Sequence, residues 1–96
     1  MKREEAIRQI AERRADLRTL GVGSLALFGS AARDEASEES DLDVLVEFSQ
    51  PVGLFRFLDV KAYLEGLLGC EVDLVTPDAL KPQLRERIMR EAVRAL

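Results

Sequence analysis

The fold of this chain is decided by residues 27–48, which read LFGSAARDEASEESDLDVLVEF. This stretch joins two apolar runs, residues 24–28 and 42–48, and each has the length expected of a buried strand. Between the runs, residues 31–36 favour a short helix or turn, and residues 37–40 form a polar loop. We therefore predict two neighbouring strands whose connection begins at a glycine-serine pair.

The second run also has a two-residue period. Leu42, Val44, Val46 and Phe48 are apolar, whereas Asp43 and Glu47 fall between them. Because successive side chains of a strand point to opposite faces, Asp41, Asp43, Leu45 and Glu47 are expected on the face away from the apolar one.

Outside this stretch, apolar spacing predicts further helices and one more strand. The predicted elements are a helix over 3–19, a helix over 54–68 that ends at Gly69, and a strand over 72–75. A last helix is expected to have Asp78 as its N-cap and Pro82 in an early turn. Its apolar face consists of Leu84, Ile88, Ala92 and Ala95. This order predicts an α+β fold in which a mixed sheet of three or four strands is flanked by helices, all within one domain over residues 1–96.

The amino-acid composition limits the kinds of catalytic and binding site that the chain can form. The 96 residues contain no histidine, and the formal net charge is −4. The lack of histidine excludes a Ser-His-Asp triad and a histidine-ligated zinc site, whereas oxygen ligands suit Mg²⁺. The acidic balance argues against nonspecific binding of nucleic acid. Cys70 is the only cysteine, so no internal disulfide is expected, and the residues after Met1 predict no signal peptide or membrane span; we expect a cytoplasmic location.

Three features point to a common site. Gly29 and Ser30 follow a strand directly, where backbone N–H groups and a hydroxyl can hold phosphate oxygens. Asp41 and Asp43 lie two residues apart on a strand, so both carboxylates face the same side and can bind divalent cations. Asp73 interrupts a strand expected to be buried, where a lone carboxylate is costly unless it is paired, protonated or bound to metal.

Each feature alone has an ordinary structural interpretation. A glycine-serine pair is common in turns, and an Asp-x-Asp pair can be the solvated end of a strand. Asp73 can lie at a sheet edge and face water. Arg33 alone would be a solvated helix residue. It is the order of all these features along the chain that favours a functional site.

This order resembles the signature of the minimal nucleotidyltransferases of the DNA polymerase beta superfamily. The resemblance implies the nucleotidyltransferase fold, with a polymerase beta-like palm, and an enzyme that uses ATP and two Mg²⁺ ions. It assigns metal binding and catalysis to Asp41, Asp43 and Asp73, with Asp73 helping to activate the attacking hydroxyl. The candidate phosphate-binding residues are Gly29, Ser30, Arg33 and Ser40.

The chain departs from the family pattern at two positions. Ala31 stands where members often carry an arginine, and Asp34 stands where they often carry a glycine. The loss of one cation at Ala31 would weaken phosphate or acceptor binding. Asp34 can adopt a left-handed turn more readily than most residues, so the turn itself can survive.

Small members of this family resemble the antitoxins of HEPN–MNT toxin–antitoxin pairs. That resemblance implies transfer of AMP from ATP to a tyrosine of a HEPN ribonuclease toxin. Two alternatives stay open: a small-molecule transferase of the aminoglycoside type, and a non-catalytic module that blocks its partner by contact.

The helix over 54–68 bears on the question of a partner. Its apolar stripe is Phe57, Val60, Leu64 and Leu67, and beside it lie Leu54, Phe55, Leu58, Ala62 and Leu68. This surplus indicates either a partner surface or a helix buried on two sides.

Overall fold

The computed structural model describes residues 2–33 and 41–96 of the chain. Its regular elements follow the order expected from the sequence, except that the first helix is divided in two and that a 3₁₀ turn and a fourth strand are added near the end. They are α1 (Arg3–Glu12), α2 (Arg14–Thr19), β1 (Val22–Leu27), α3 (Gly29–Ala32), β2 (Leu42–Phe48), α4 (Leu54–Leu68), β3 (Val72–Val75), a 3₁₀ turn (Pro77–Ala79), α5 (Pro82–Glu91) and β4 (Val93–Arg94).

The four strands form one mixed sheet with the order β3-β2-β1-β4. β1 pairs antiparallel with both β2 and β4, whereas β2 and β3 run parallel. A parallel pair needs a long crossover, and α4 provides it. The predicted α+β fold with a mixed sheet of three or four strands is confirmed.

The hydrophobic core lies between one face of the sheet and the helices α1, α2 and α4. The alternating residues Leu42, Val44 and Val46 of β2 are buried there, as the two-residue period predicts. The helices contribute the buried side chains Ala6, Ile10, Leu17, Val60, Leu64 and Leu68. The opposite face of the sheet therefore carries Asp43, Leu45 and Glu47, and this face is called the open face below.

Helix α4 has the predicted bounds, but its buried stripe differs from the expectation. Leu68 belongs to the core, and Phe57 and Leu67 are only partly buried. Leu54 and Phe55 are 68% and 83% exposed, and Leu58 is also exposed. Because α4 packs on a single side within this chain, the surplus apolar side chains remain on the surface.

Three predictions at the ends of the chain are wrong in detail. The helix over 3–19 is broken at Arg13, whose φ and ψ of −108° and 23° separate α1 from α2. Asp78 lies in the 3₁₀ turn, and the N-cap of α5 is Lys81, with Pro82 at the first helical position. α5 ends at Glu91 because the chain then extends into β4.

The C-terminal residues consequently belong to the sheet and not to the last helix. Ala95 and Leu96 are buried, and the Ala95 N–H donates to the Leu25 carbonyl oxygen at 2.8 Å. In the part of the chain that the structure describes, no helix combines the length and apolar character required to cross a membrane.

Candidate active site

The register of the parallel strands places two of the predicted carboxylates side by side. Asp43 on β2 pairs with Asp73 on β3, so both side chains lie on the open face. Two hydrogen bonds hold the start of β3, one to β2 and one to α4. The Leu42 N–H donates to the Glu71 carbonyl oxygen at 2.9 Å, and the Val72 N–H donates to the Glu65 carboxylate at 3.1 Å.

Asp73 is not the buried carboxylate that the sequence led us to expect. β3 is an edge strand, and Asp73 is exposed on it between the buried residues Val72 and Leu74. Its exposure agrees with the alternative interpretation, in which Asp73 lies at the sheet edge and faces water. Its exposure also leaves the carboxylate accessible to a ligand that lies on the open face.

Asp41 precedes β2 and is exposed, whereas Asp43 is half-buried. Burial raises the pKa of the Asp43 carboxyl group above its ordinary value, and the charges of Asp73 and Asp41 and a side-chain hydrogen bond with Asp73 raise it further. The positive charge of Arg33 lowers the pKa of Asp43 and so offsets part of this rise. Asp43 is thus the centre of an acidic cluster that also comprises Asp41 and Asp73.

The glycine-serine turn lies directly against this cluster. Gly29 has a φ of +62°, and a Cβ atom at this position would collide with the Asp43 carboxylate. The Phe28 N–H donates to the Asp43 carbonyl oxygen at 3.1 Å, which joins the end of β1 to β2. Only glycine permits both the left-handed backbone and this close approach. Ser30 follows within α3 and is half-buried.

Two arginines connect the turn to its surroundings. The Arg33 guanidinium lies 3.7 Å from the Glu91 carboxylate of α5, and its side chain is about half exposed. The Arg3 guanidinium of α1 donates to the Ala32 carbonyl oxygen at 2.9 Å. Neither Glu91 nor Arg3 lies near a motif in the sequence, so their contacts with this region could not be predicted from it.

The donor set fits a hard cation held in part by the substrate. Among residues 2–33 and 41–96, no three acidic, histidine or cysteine side chains are arranged as a preformed metal cage. Mg²⁺ seldom uses such a cage, because it keeps several waters and binds through one or two carboxylates and substrate phosphates. The pKa of Asp43 is raised first by burial and then by the charges of Asp73 and Asp41, and a bound cation would relieve that repulsion.

Of the two positions that depart from the family pattern, the structure describes only Ala31. Ala31 is buried in the hydrophobic core, so this position contributes to packing in the present chain. Asp34 lies outside the described residues, and so does Ser40, which the sequence proposed for phosphate binding.

This acidic cluster beside a glycine-serine turn, on the open face of a mixed sheet, is the arrangement of a nucleotidyl-transferring domain. The chain belongs to the nucleotidyltransferase domain family, whose model matches residues 7–95. The family predicted from the sequence, and the enzyme class it implies, are therefore confirmed.

Known relatives agree in both sequence and structure. The protein adenylyltransferase MntA of Thermococcus cleftensis is 44% identical over 73 residues, which cover 76% of this chain and 74% of the relative. A solved structure assigned to the minimal nucleotidyltransferases is 42% identical, with a TM-score of 0.82 and coverage of 97% of this chain and 95% of that one.

A more distant match is a solved complex of a tri-AMPylated Shewanella oneidensis HEPN toxin with its MNT antitoxin. The similarity has a TM-score of 0.61 at 18% identity and covers 92% of this chain and 71% of that chain. At this identity the match establishes a shared fold only.

Proposed function

We propose that this chain is the antitoxin of a HEPN–MNT pair and that it transfers AMP from ATP to a hydroxyl group, a tyrosine, of its HEPN toxin partner. The observation that carries the proposal is the acidic cluster of Asp41, Asp43 and Asp73 beside the left-handed turn at Gly29. The relatives named above support the adenylyl donor and the protein acceptor. In this proposal the single domain over residues 1–96 acts in the cytoplasm.

The proposed reaction divides the open face between donor and acceptor. The turn at Gly29 and Ser30 holds the β- and γ-phosphates, and Arg33 neutralises part of their charge. Asp41, Asp43 and Asp73 would hold two Mg²⁺ ions, which supply charge neutralisation at the α-phosphorus and at the leaving pyrophosphate. The acceptor oxygen forms a bond to the α-phosphorus as the bond between that phosphorus and the α,β-bridging oxygen breaks, and pyrophosphate leaves. Asp73 accepts the proton of the attacking hydroxyl.

The exposed residues at the start of α4 support a protein acceptor. Leu54, Phe55 and Leu58 lie on the surface together with Val52, which is 37% exposed. Exposed apolar side chains that cluster in this way are typical of a binding surface. A small-molecule acceptor would leave them without a role.

The proposal is tested by incubating the purified chain with Mg²⁺, the product of the neighbouring gene as the candidate HEPN partner, and ATP labelled either on the α-phosphate or on the γ-phosphate. We expect the α-label, and not the γ-label, on the HEPN protein, with the modified tyrosine located by mass spectrometry.

The other outcomes separate the alternatives. Label on an aminoglycoside, but not on the protein, would establish the small-molecule transferase. Tight binding of the HEPN protein without any label would establish a non-catalytic antitoxin. Asp41→Asn together with Asp43→Asn must abolish labelling while the variant keeps its circular dichroism spectrum, and retained labelling would remove the cluster from the mechanism.

A further inference from the structure

Glu91 is an acidic residue near the glycine-serine turn that lies outside the acidic cluster and has no part in the reaction described above. It is the last residue of α5, and its carboxylate oxygen Oε2 lies 3.7 Å from Arg33 Nη1. The other carboxylate oxygen, Oε1, accepts a hydrogen bond from Arg87 Nε at 3.4 Å. Glu91 therefore links Arg33, which the proposed function places on the phosphates, to the body of α5.

The sheet fixes the position of Glu91. None of the residues Pro82–Glu91 of α5, all of which the structure describes, is buried, so packing in the core contributes little to the position of this helix. At the end of α5 the chain enters β4, where Val93 pairs with Leu27 of β1, two residues before Gly29. The pairing that adds β4 to the sheet therefore also holds Glu91 close to the turn.

The short helix α3 depends on contacts from outside. It has four residues, and the Arg33 N–H closes its turn by donating to the Gly29 carbonyl oxygen at 3.3 Å. A helix of this length is not stable in isolation. Arg3 of α1 supports its end by donating to the Ala32 carbonyl oxygen, and Glu91 of α5 contacts the Arg33 side chain. The neighbouring helices thus set the position of a segment that its own hydrogen bonds cannot hold.

The contact with Glu91 prepares the Arg33 guanidinium for an anion. The Arg33 side chain is 47% exposed, and a long side chain at such exposure loses rotamer freedom when it contacts a ligand. A carboxylate that already holds the guanidinium reduces that loss. Because a guanidinium carries five N–H donors in a planar fork, the group can contact a carboxylate and a phosphate at the same time. Arg87 offsets part of the negative charge of Glu91, which limits its repulsion of a triphosphate.

We propose that Glu91 is a positioning residue, which holds the Arg33 guanidinium in the orientation in which that group contacts the β- and γ-phosphates. This inference rests on the proposed function, because it uses the role assigned there to Arg33. It also gives the C-terminal strand a part in the reaction, since β4 fixes the end of α5 and with it Glu91.

The test is a double-mutant cycle on phosphate binding. Titration calorimetry measures the affinity of the purified chain for inorganic tripolyphosphate in the presence of Mg²⁺, a probe that reports on the phosphates without a base or an acceptor. The variants are Glu91→Gln, Arg33→Gln and the two together. Glu86→Gln, which removes the same charge from an exposed position of α5, is the matched control.

We expect Glu91→Gln to bind tripolyphosphate about fivefold more weakly, which is the upper scale for an exposed ion pair. The sign is diagnostic, because the loss of a negative charge near an anion would by itself strengthen binding. Glu86→Gln should leave the affinity unchanged. In the Arg33→Gln background, replacement of Glu91 should cause no further weakening. In the transfer assay, Glu91→Gln should raise the KM for ATP by a similar factor and leave kcat unchanged.

Other results would overturn the inference. A purely structural role would lower the fraction of chains that bind, and the apparent kcat with it, without a change in affinity. Equal or tighter binding by Glu91→Gln, a weakening that persists in the Arg33→Gln background, or no binding of tripolyphosphate by the wild type would equally contradict a positioning role. If the cycle gave the expected result but the wild type transferred no AMP, the positioning role would stand and the proposed transfer would fail.

Discussion

The replacement Gly29→Ala tests the turn that carries the site, because the structure predicts two separate costs. The first is the left-handed backbone, since φ is +62° and a side chain there costs about 1–2 kcal/mol. The second is the collision of the new Cβ with the Asp43 carboxylate, whose Cγ would lie 3.3 Å away. Because Asp43 is only half-buried, its side chain can rotate away, and the total loss should be about 2–3 kcal/mol.

Rotation of Asp43 also predicts a loss of activity. A displacement of about 1 Å at a reacting centre can cost about 10²-fold in rate, so the initial rate of AMP transfer should fall by about that factor. The unfolding free energy is measured by urea titration and the rate by α-label transfer. In an Asp43→Ala background the same glycine replacement should cost only the backbone part, about 1–2 kcal/mol.

Gly66→Ala provides the matched control. Gly66 lies within α4, and a Cβ atom there would meet nothing within 4 Å. The control should gain about 0.5–1 kcal/mol, because alanine is the better helix former. If Gly29→Ala kept the parental stability and rate while Gly66→Ala behaved as expected, the close approach of Gly29 to Asp43 would be refuted.

Three further predictions concern the charge cluster, the surface and the core. Asp43→Asn should raise the melting temperature measured without Mg²⁺ and reduce the shift on adding Mg²⁺, because it removes a carboxylate whose charged form is disfavoured by burial and by the charges of Asp73 and Asp41; an undiminished Mg²⁺ shift in calorimetry would contradict this. Leu54→Ser with Phe55→Ser should change the unfolding free energy by no more than about 0.5 kcal/mol but weaken capture of the HEPN partner in a pull-down; unchanged capture would place the interface elsewhere. Leu64→Ala, at a fully buried position, should cost about 2–5 kcal/mol in urea unfolding, and a loss below that range would mean that α4 packs loosely.

The sequence predicted the central elements best, because their patterns are strong. β2, α4 and β3 have the predicted bounds, since a two-residue period and a fifteen-residue helical stretch each have few alternative interpretations. β4 was missed because a two-residue strand has no detectable period. Its pairing with β1 depends on long-range hydrogen bonds, such as the one from Ala95 to Leu25.

The local chemistry of the site was more predictable than its surroundings. The pairing of Asp43 with Asp73 follows from the parallel register, but the exposure of Asp73 follows from the strand order, which no local pattern encodes. The contact between Arg33 and Glu91 likewise depends on where α5 crosses the sheet. Residues far apart in the chain meet here only through tertiary packing.

The most direct test of the account is the transfer of α-labelled AMP to the HEPN partner by the wild-type chain and by the variant with Asp41→Asn and Asp43→Asn. We expect a mass increase of whole adenylyl groups on a partner tyrosine with the wild type and none with the folded variant. Equal modification by both proteins would show that the acidic cluster does not carry the reaction.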